Sequence, residues 1–183
     1  MAKRRVTLDQ LTDLLRERVA HLHARNLVLV ALPLETAHRD APGLAQALNA
    51  EYLDFDCALL AQMEADDWDE HVALEQRGTL SIGQMLSRDW LTDVAGQIDR
   101  QRPLVIGNLN LAVRYEIDVA TLLYDATERG LCIIAAGGRL QGRTLLIHGR
   151  LPQTGAGSEA YEVVPPPDGR PRRSPRTVQD RLL

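Results

Sequence analysis

Residues 103–136, PLVIGNLNLAVRYEIDVATLLYDATERGLCIIAA, constrain the chain most, because two short apolar runs stand there on either side of an amphipathic segment. Residues 104–106 and 131–136 are nearly continuous in apolar side chains, the pattern of strands covered on both faces. Between them Ile117, Ala120, Thr121, Tyr124 and Thr127 recur at helical spacing. The spacing predicts one helix that crosses a face of the sheet and returns the chain parallel, with the right-handed crossover that such units almost always adopt.

The preceding sequence repeats this grammar. Leu8, Leu11, Leu15, Val19 and Leu22 predict an amphipathic helix over 8–25, with Thr7 as cap and Asp9 in its first turn. LVLVAL at 27–32 reads as a buried strand, followed by a polar loop over 33–43 and a short helix near 44–48. YLDFD at 52–56 alternates like a second strand that leads its acidic face toward the carboxyl end. The acidic run 64–70, with Trp68 inside it, reads as a solvated loop. A long helix over 82–100 then ends at Pro103, which cannot donate the next hydrogen bond. After Ala136 the sequence predicts a turn over 137–143, a strand over 144–148 and an edge strand over 160–164.

The expectation is therefore an α/β fold: a mostly parallel sheet flanked by helices, Rossmann-like in kind, with a C-terminal antiparallel hairpin. At 183 residues, 45% of them apolar, the chain can bury one core, and residues 1–164 read as a single domain. The segment 165–183, PPPDGRPRRSPRTVQDRLL, has too few apolar side chains to offset the entropy of ordering and reads as an extended tail.

A net charge of −4 gives no general attraction to nucleic acid or anionic lipid. Only the tail concentrates positive charge, and Arg170, Arg172, Arg173 and Arg176 are the candidate DNA contacts, weighed against a solubilising terminus. Cys57 and Cys132 form no CxxC pair, as expected of reduced thiols in a cytoplasmic protein. No apolar run approaches the ~18 residues of a membrane span, so no membrane partner is expected.

The strand, loop and helix N-terminus around residues 27–43 lie where open α/β sheets bind ligands. A phosphate loop there needs glycines, a lysine and a Ser or Thr. The loop LPLETAHRDAPG has no lysine and no glycine before Gly43; Thr36 is its hydroxyl, and His38 or Arg39 would have to supply charge. At the end of the 104–106 strand, Asn108 and Asn110 stand where acids would support magnesium. Neither ATP nor magnesium is therefore expected as a cofactor, unless an atypical phosphate loop binds nucleotide. A different chemistry, metal-dependent phosphodiester hydrolysis, would use Glu35, Asp54 and Asp56, provided the two strands that carry them are neighbours. His148 reads as a structural histidine, and no nucleophile, base and orienting acid can be assembled from local signatures.

The stretch PLVIGNLNLAVRYEIDVATLLYDATERGLCIIAAGG followed by RTLLIHGRLPQTGAGSEAYEVVP resembles the C-terminal half of BrxF-type proteins, the small P-loop-containing components of BREX bacteriophage-exclusion systems. In that family an apolar strand enters an acid-hydrophobic-acid-hydrophobic-Leu loop, then a helix, a strand ending in a Gly turn, a hairpin strand and a terminal EY strand. The counterparts here are residues 108–111, 119–127, 131–137, 144–147 and 159–161. The resemblance implies a P-loop NTPase-like fold and a subunit of a bacterial antiphage defence complex whose partners are proteins; self-association is left open. The departures at the phosphate loop and at Asn108 imply a degenerate, non-catalytic member.

Overall fold

The computed structural model describes residues 4–22, 25–65, 68–78, 81–98, 102–154 and 158–166. Along the chain these form β1 (Arg4–Val6), α1 (Leu8–Ala20), β2 (Leu27–Leu32), α2 (Ala37–Ala47), β3 (Glu51–Asp54), α3 (Phe55–Ala65), α4 (Trp68–Gln76) and α5 (Ser81–Gln97). Then come β4 (Leu104–Gly107), α6 (Asn110–Arg114), α7 (Val119–Leu123), a 3₁₀ turn (Asp125–Glu128), β5 (Cys132–Gln141), β6 (Thr144–Ile147), β7 (Leu151–Gln153) and β8 (Glu159–Val163).

Six strands lie side by side in the order β1-β8-β2-β5-β4-β3, every neighbouring pair parallel. The second half of β5 leaves this sheet and pairs antiparallel with β6, which pairs in turn with β7. The chain is thus α/β, with a mostly parallel sheet between helices and an antiparallel hairpin near its C-terminal end.

All six residues of β2 are buried. Leu27, Leu29 and Ala31 face a core that includes Phe55, Leu59, Leu91, Ile98 and Leu123. Val28, Val30 and Leu32 face a second core with Leu11 and Leu15 of α1 and Leu44 of α2. This two-sided burial is what a continuous apolar run requires of a parallel strand. The hairpin is anchored by Gln153, whose buried side chain accepts from the Ala120 amide (3.1 Å) and donates to the Ile117 carbonyl (2.9 Å).

Several elements depart from the sequence expectation. The helix expected over 117–127 is α7 followed by the 3₁₀ turn, and the loop expected before it holds α6; Glu116, with a left-handed φ of 55°, separates α6 from α7, which Asp118 caps at the Thr121 amide. The helix expected near 44–48 begins at Ala37 and contains Pro42. Burial of Ala41, Leu44 and Ala45 against the sheet offsets the lost backbone hydrogen bond. Strand β3 ends at Asp54, since Phe55 turns inward to open α3 and is fully buried.

Trp68, Asp69 and Glu70 begin α4 and are not a loop, while Asp66 and Asp67 lie outside the described residues. Strand β8 is an interior strand; the edge beside it is β1, which sequence pattern did not reveal. The expected turn over 137–143 is largely strand, since β5 runs on to Gln141. The segment 167–183 lies outside the described residues.

The crossing from one sheet to the other depends on Gly138. A Cβ on that residue would lie 2.3 Å from the Leu146 carbonyl oxygen of the paired strand, so backbone would have to move. Gly138→Ala should lower stability by about 1–3 kcal/mol in urea unfolding. Gly43→Ala, at an open helical position, should instead raise it by roughly 0.5–1 kcal/mol.

Candidate functional site

Strand β2 is the point where the sheet diverges, with β8 and β1 on one side and β5, β4 and β3 on the other. The crevice at the carboxyl ends of such strands is where open α/β sheets bind ligands. Two corners of this crevice carry the residues singled out from the sequence.

At the first corner the chain leaves β2 through Pro33, Leu34, Glu35 and Thr36 and enters α2. The Pro33 carbonyl accepts from the amides of Thr36 (3.1 Å) and Ala37 (3.0 Å), and the Thr36 carbonyl accepts from those of Arg39 (3.0 Å) and Asp40 (2.8 Å). The Thr36, Ala37 and Arg39 amides, three of those that the start of a helix would otherwise offer an anion, are thereby engaged within the chain. Thr36 makes no side-chain cap bond, and its Oγ1 is enclosed without a hydrogen-bond partner. His38 and Arg39 are exposed, and Arg39 Nε pairs with Asp40 at 3.3 Å. Leu34 bends over the end of β5: a Cβ on Gly137 would come within 3.0 Å of Leu34 Cδ2.

The second corner joins the ends of β3 and β4 to the turn between β6 and β7. Asn108 Nδ2 donates to both carboxylate oxygens of Asp54, at 3.1 Å each. Asn110 Nδ2 donates to Asp56 Oδ2 (2.8 Å) and to Asn108 Oδ1 (2.7 Å). With both its amide hydrogens engaged, Asn110 presents Oδ1 as the acceptor toward His148 Nε2 at 2.8 Å. The result is a one-way chain of donors from His148 through Asn110 and Asn108 to Asp54.

Backbone amides complete the corner. Asp54 Oδ1 accepts from the Cys57 amide at 2.9 Å. Asp56 accepts from the Asn110 amide (3.2 Å) and the Leu111 amide (2.8 Å). The N-cap residue of α6, Leu109, has no side-chain acceptor, so the Asp56 carboxylate caps that helix from another element. Asn108 holds a left-handed φ of 54°. His148 and Gly149, at 49° and 70°, are the two central residues of a tight hairpin turn closed by the Arg150 amide on the Ile147 carbonyl (3.0 Å).

Electrostatics follow from this enclosure. Burial raises the Asp56 carboxyl above its usual range, against the lowering effect of the Leu111 and Asn110 hydrogen bonds. The Tyr52 phenol is pushed up to about 12, first by burial and then by the Asp54 charge. Cys57 is exposed, and its thiol is raised by a hydrogen bond to Asp54 and by that residue's charge. Burial alone pushes the Cys132 thiol up to about 12.

The structure thus gathers Asp54, Asp56, Asn108 and Asn110 and leaves Glu35 apart. The condition for the three-carboxylate metal site is not met, because β5 and β4 stand between β2 and β3. Three strand spacings separate those ends by about 14 Å. Among the described residues no group of three or more His, Cys, Asp or Glu side chains is arranged to hold a metal ion. Thr36, His38 and Arg39 sit at the first corner, Asn108 and Asn110 at the second, and Arg170, Arg172, Arg173 and Arg176 lie outside the described residues. Sequence reasoning missed the place of His148 in the second corner; its signal was the His-Gly pair between two apolar strand patterns.

Comparison with protein-family models, with curated proteins and with solved structures gave no match. No helix among the described residues is long and apolar enough to cross a membrane.

Asn108→Asp would replace two donors with a carboxylate facing Asp54 and should cost about 2–4 kcal/mol in chemical unfolding. Asp56 gives a pH signature. Its folded-state carboxyl titrates above its unfolded value, so its titration contributes stability that is complete at low pH and is lost as pH rises through the folded value. Asp56→Asn removes that slope, and the stability of the original chain minus that of the variant should therefore be larger at about pH 3.5 than at about pH 7. A thiol-reactive chromophore should label Cys57 alone in the folded protein and reach Cys132 only on unfolding.

Proposed function

We propose that the chain is a P-loop NTPase-like scaffold that performs no nucleotide chemistry and serves as a non-catalytic protein-binding subunit of a bacterial antiphage defence assembly of the BREX type. The observation that carries the reading is the closure of both crevice corners by groups of the chain itself. At the first, the Pro33 and Thr36 carbonyls take three of the amides around the start of α2, and Leu34 lies over the end of β5. At the second, carboxamide hydrogens occupy the carboxylate oxygens that would face magnesium or its waters.

These donor sets do not fit ATP with magnesium. A phosphate needs converging amides and a cationic side chain, and a magnesium ion would have to compete with the N–H donors already on the Asp54 and Asp56 carboxylates. The strand, loop and helix order at β2 and α2, with β4 ending two strands away, supports the scaffold half of the proposal. The resemblance of residues 103–164 to BrxF-type proteins supports the defence half. Protein subunits are then the partners, and the arginines of the tail are the proposed accessory contact to DNA.

The test is calorimetric titration of the full chain with ATP and magnesium, together with affinity purification of the tagged full chain expressed beside its neighbouring genes. The expected result is no heat of nucleotide binding and stoichiometric recovery of another subunit of the locus. Micromolar ATP binding that Thr36→Ala abolishes would overturn the non-catalytic reading. Recovery of the chain alone, from a locus without methyltransferase or helicase genes, would overturn the assembly.

A further inference from the structure

We draw no further inference here: the strongest candidate, the cavity of about 350 Å³ between α5, α7 and the 3₁₀ turn, with Leu91, Ala95, Leu122 and Ala126 in its wall, carries nothing because no feature of the structure shows what covers that apolar surface and its rim carboxylates Asp125 and Glu128 are already paired with Arg25.

Discussion

Two-sided burial of β2 is the constraint on which the rest depends. The strand is hydrogen-bonded to β5 from Leu27 to Leu32 and to β8 from Val28 to Ala31, while its side chains feed both cores. At the usual gain for burying an aliphatic side chain, its five Leu and Val residues contribute on the order of 10 kcal/mol before entropy is counted. A slip of one residue would move Leu29 from the Phe55 core to the α1 core and reverse every other side chain of the strand. The register is therefore fixed, and with it the level at which β2, β5 and β4 end. The positions of the two crevice corners follow from that level.

The same sheet needs ties at its opposite end, where loops enter the strands. Arg25 holds Asp125 at 2.5 Å and Glu128 at 3.2 Å, and its guanidinium lies 4.4 Å from the centre of the Tyr124 ring. Next to it the buried Asn26 donates to the Thr127 carbonyl at 3.1 Å. Arg18 joins α1 to β8 through Glu159 (2.8 Å) and to the Arg25 carbonyl (3.3 Å). Exposed ion pairs are individually weak, but Asn26 and Arg18 are largely enclosed, and loss of either would strand buried polar groups. These ties brace the amino ends of β2 and β5 and leave the carboxyl ends to be organised by short polar side chains.

The interior of the sheet was legible in the sequence because strands buried on both faces leave short, continuous apolar runs bounded by polar or turn-forming residues. LVLVAL is such a run, and β2 occupies the same six residues. What stayed illegible was decided by contacts distant in sequence. The short helix α6 and the left-handed Glu116 after it have no Gly or Pro to announce them, and α2 continues through Pro42 because its apolar face is buried. β8 looked like an edge because β1 is only three residues long, two of them arginines. Asp54, Asp56, Asn108 and Asn110 could be suspected one by one, but their meeting required β3 to pair with β4, and sequence spacing carries no such information.

The second corner also has an electrostatic logic of its own. Burial is the main cause of the raised Asp56 carboxyl, and the Asp54 charge two residues away adds a smaller push in the same direction. A bound cation would relieve this by neutralising charge. Carboxamides relieve it by donating hydrogen bonds, which leaves the net charge of the corner unchanged and needs no ion. The left-handed backbone at Asn108 fits this arrangement, because asparagine tolerates that conformation better than most side chains while its amide reaches both oxygens of Asp54. Hydrogen bonds between carboxylates and carboxamides thus join β3, β4, α6 and the β6–β7 turn into one unit.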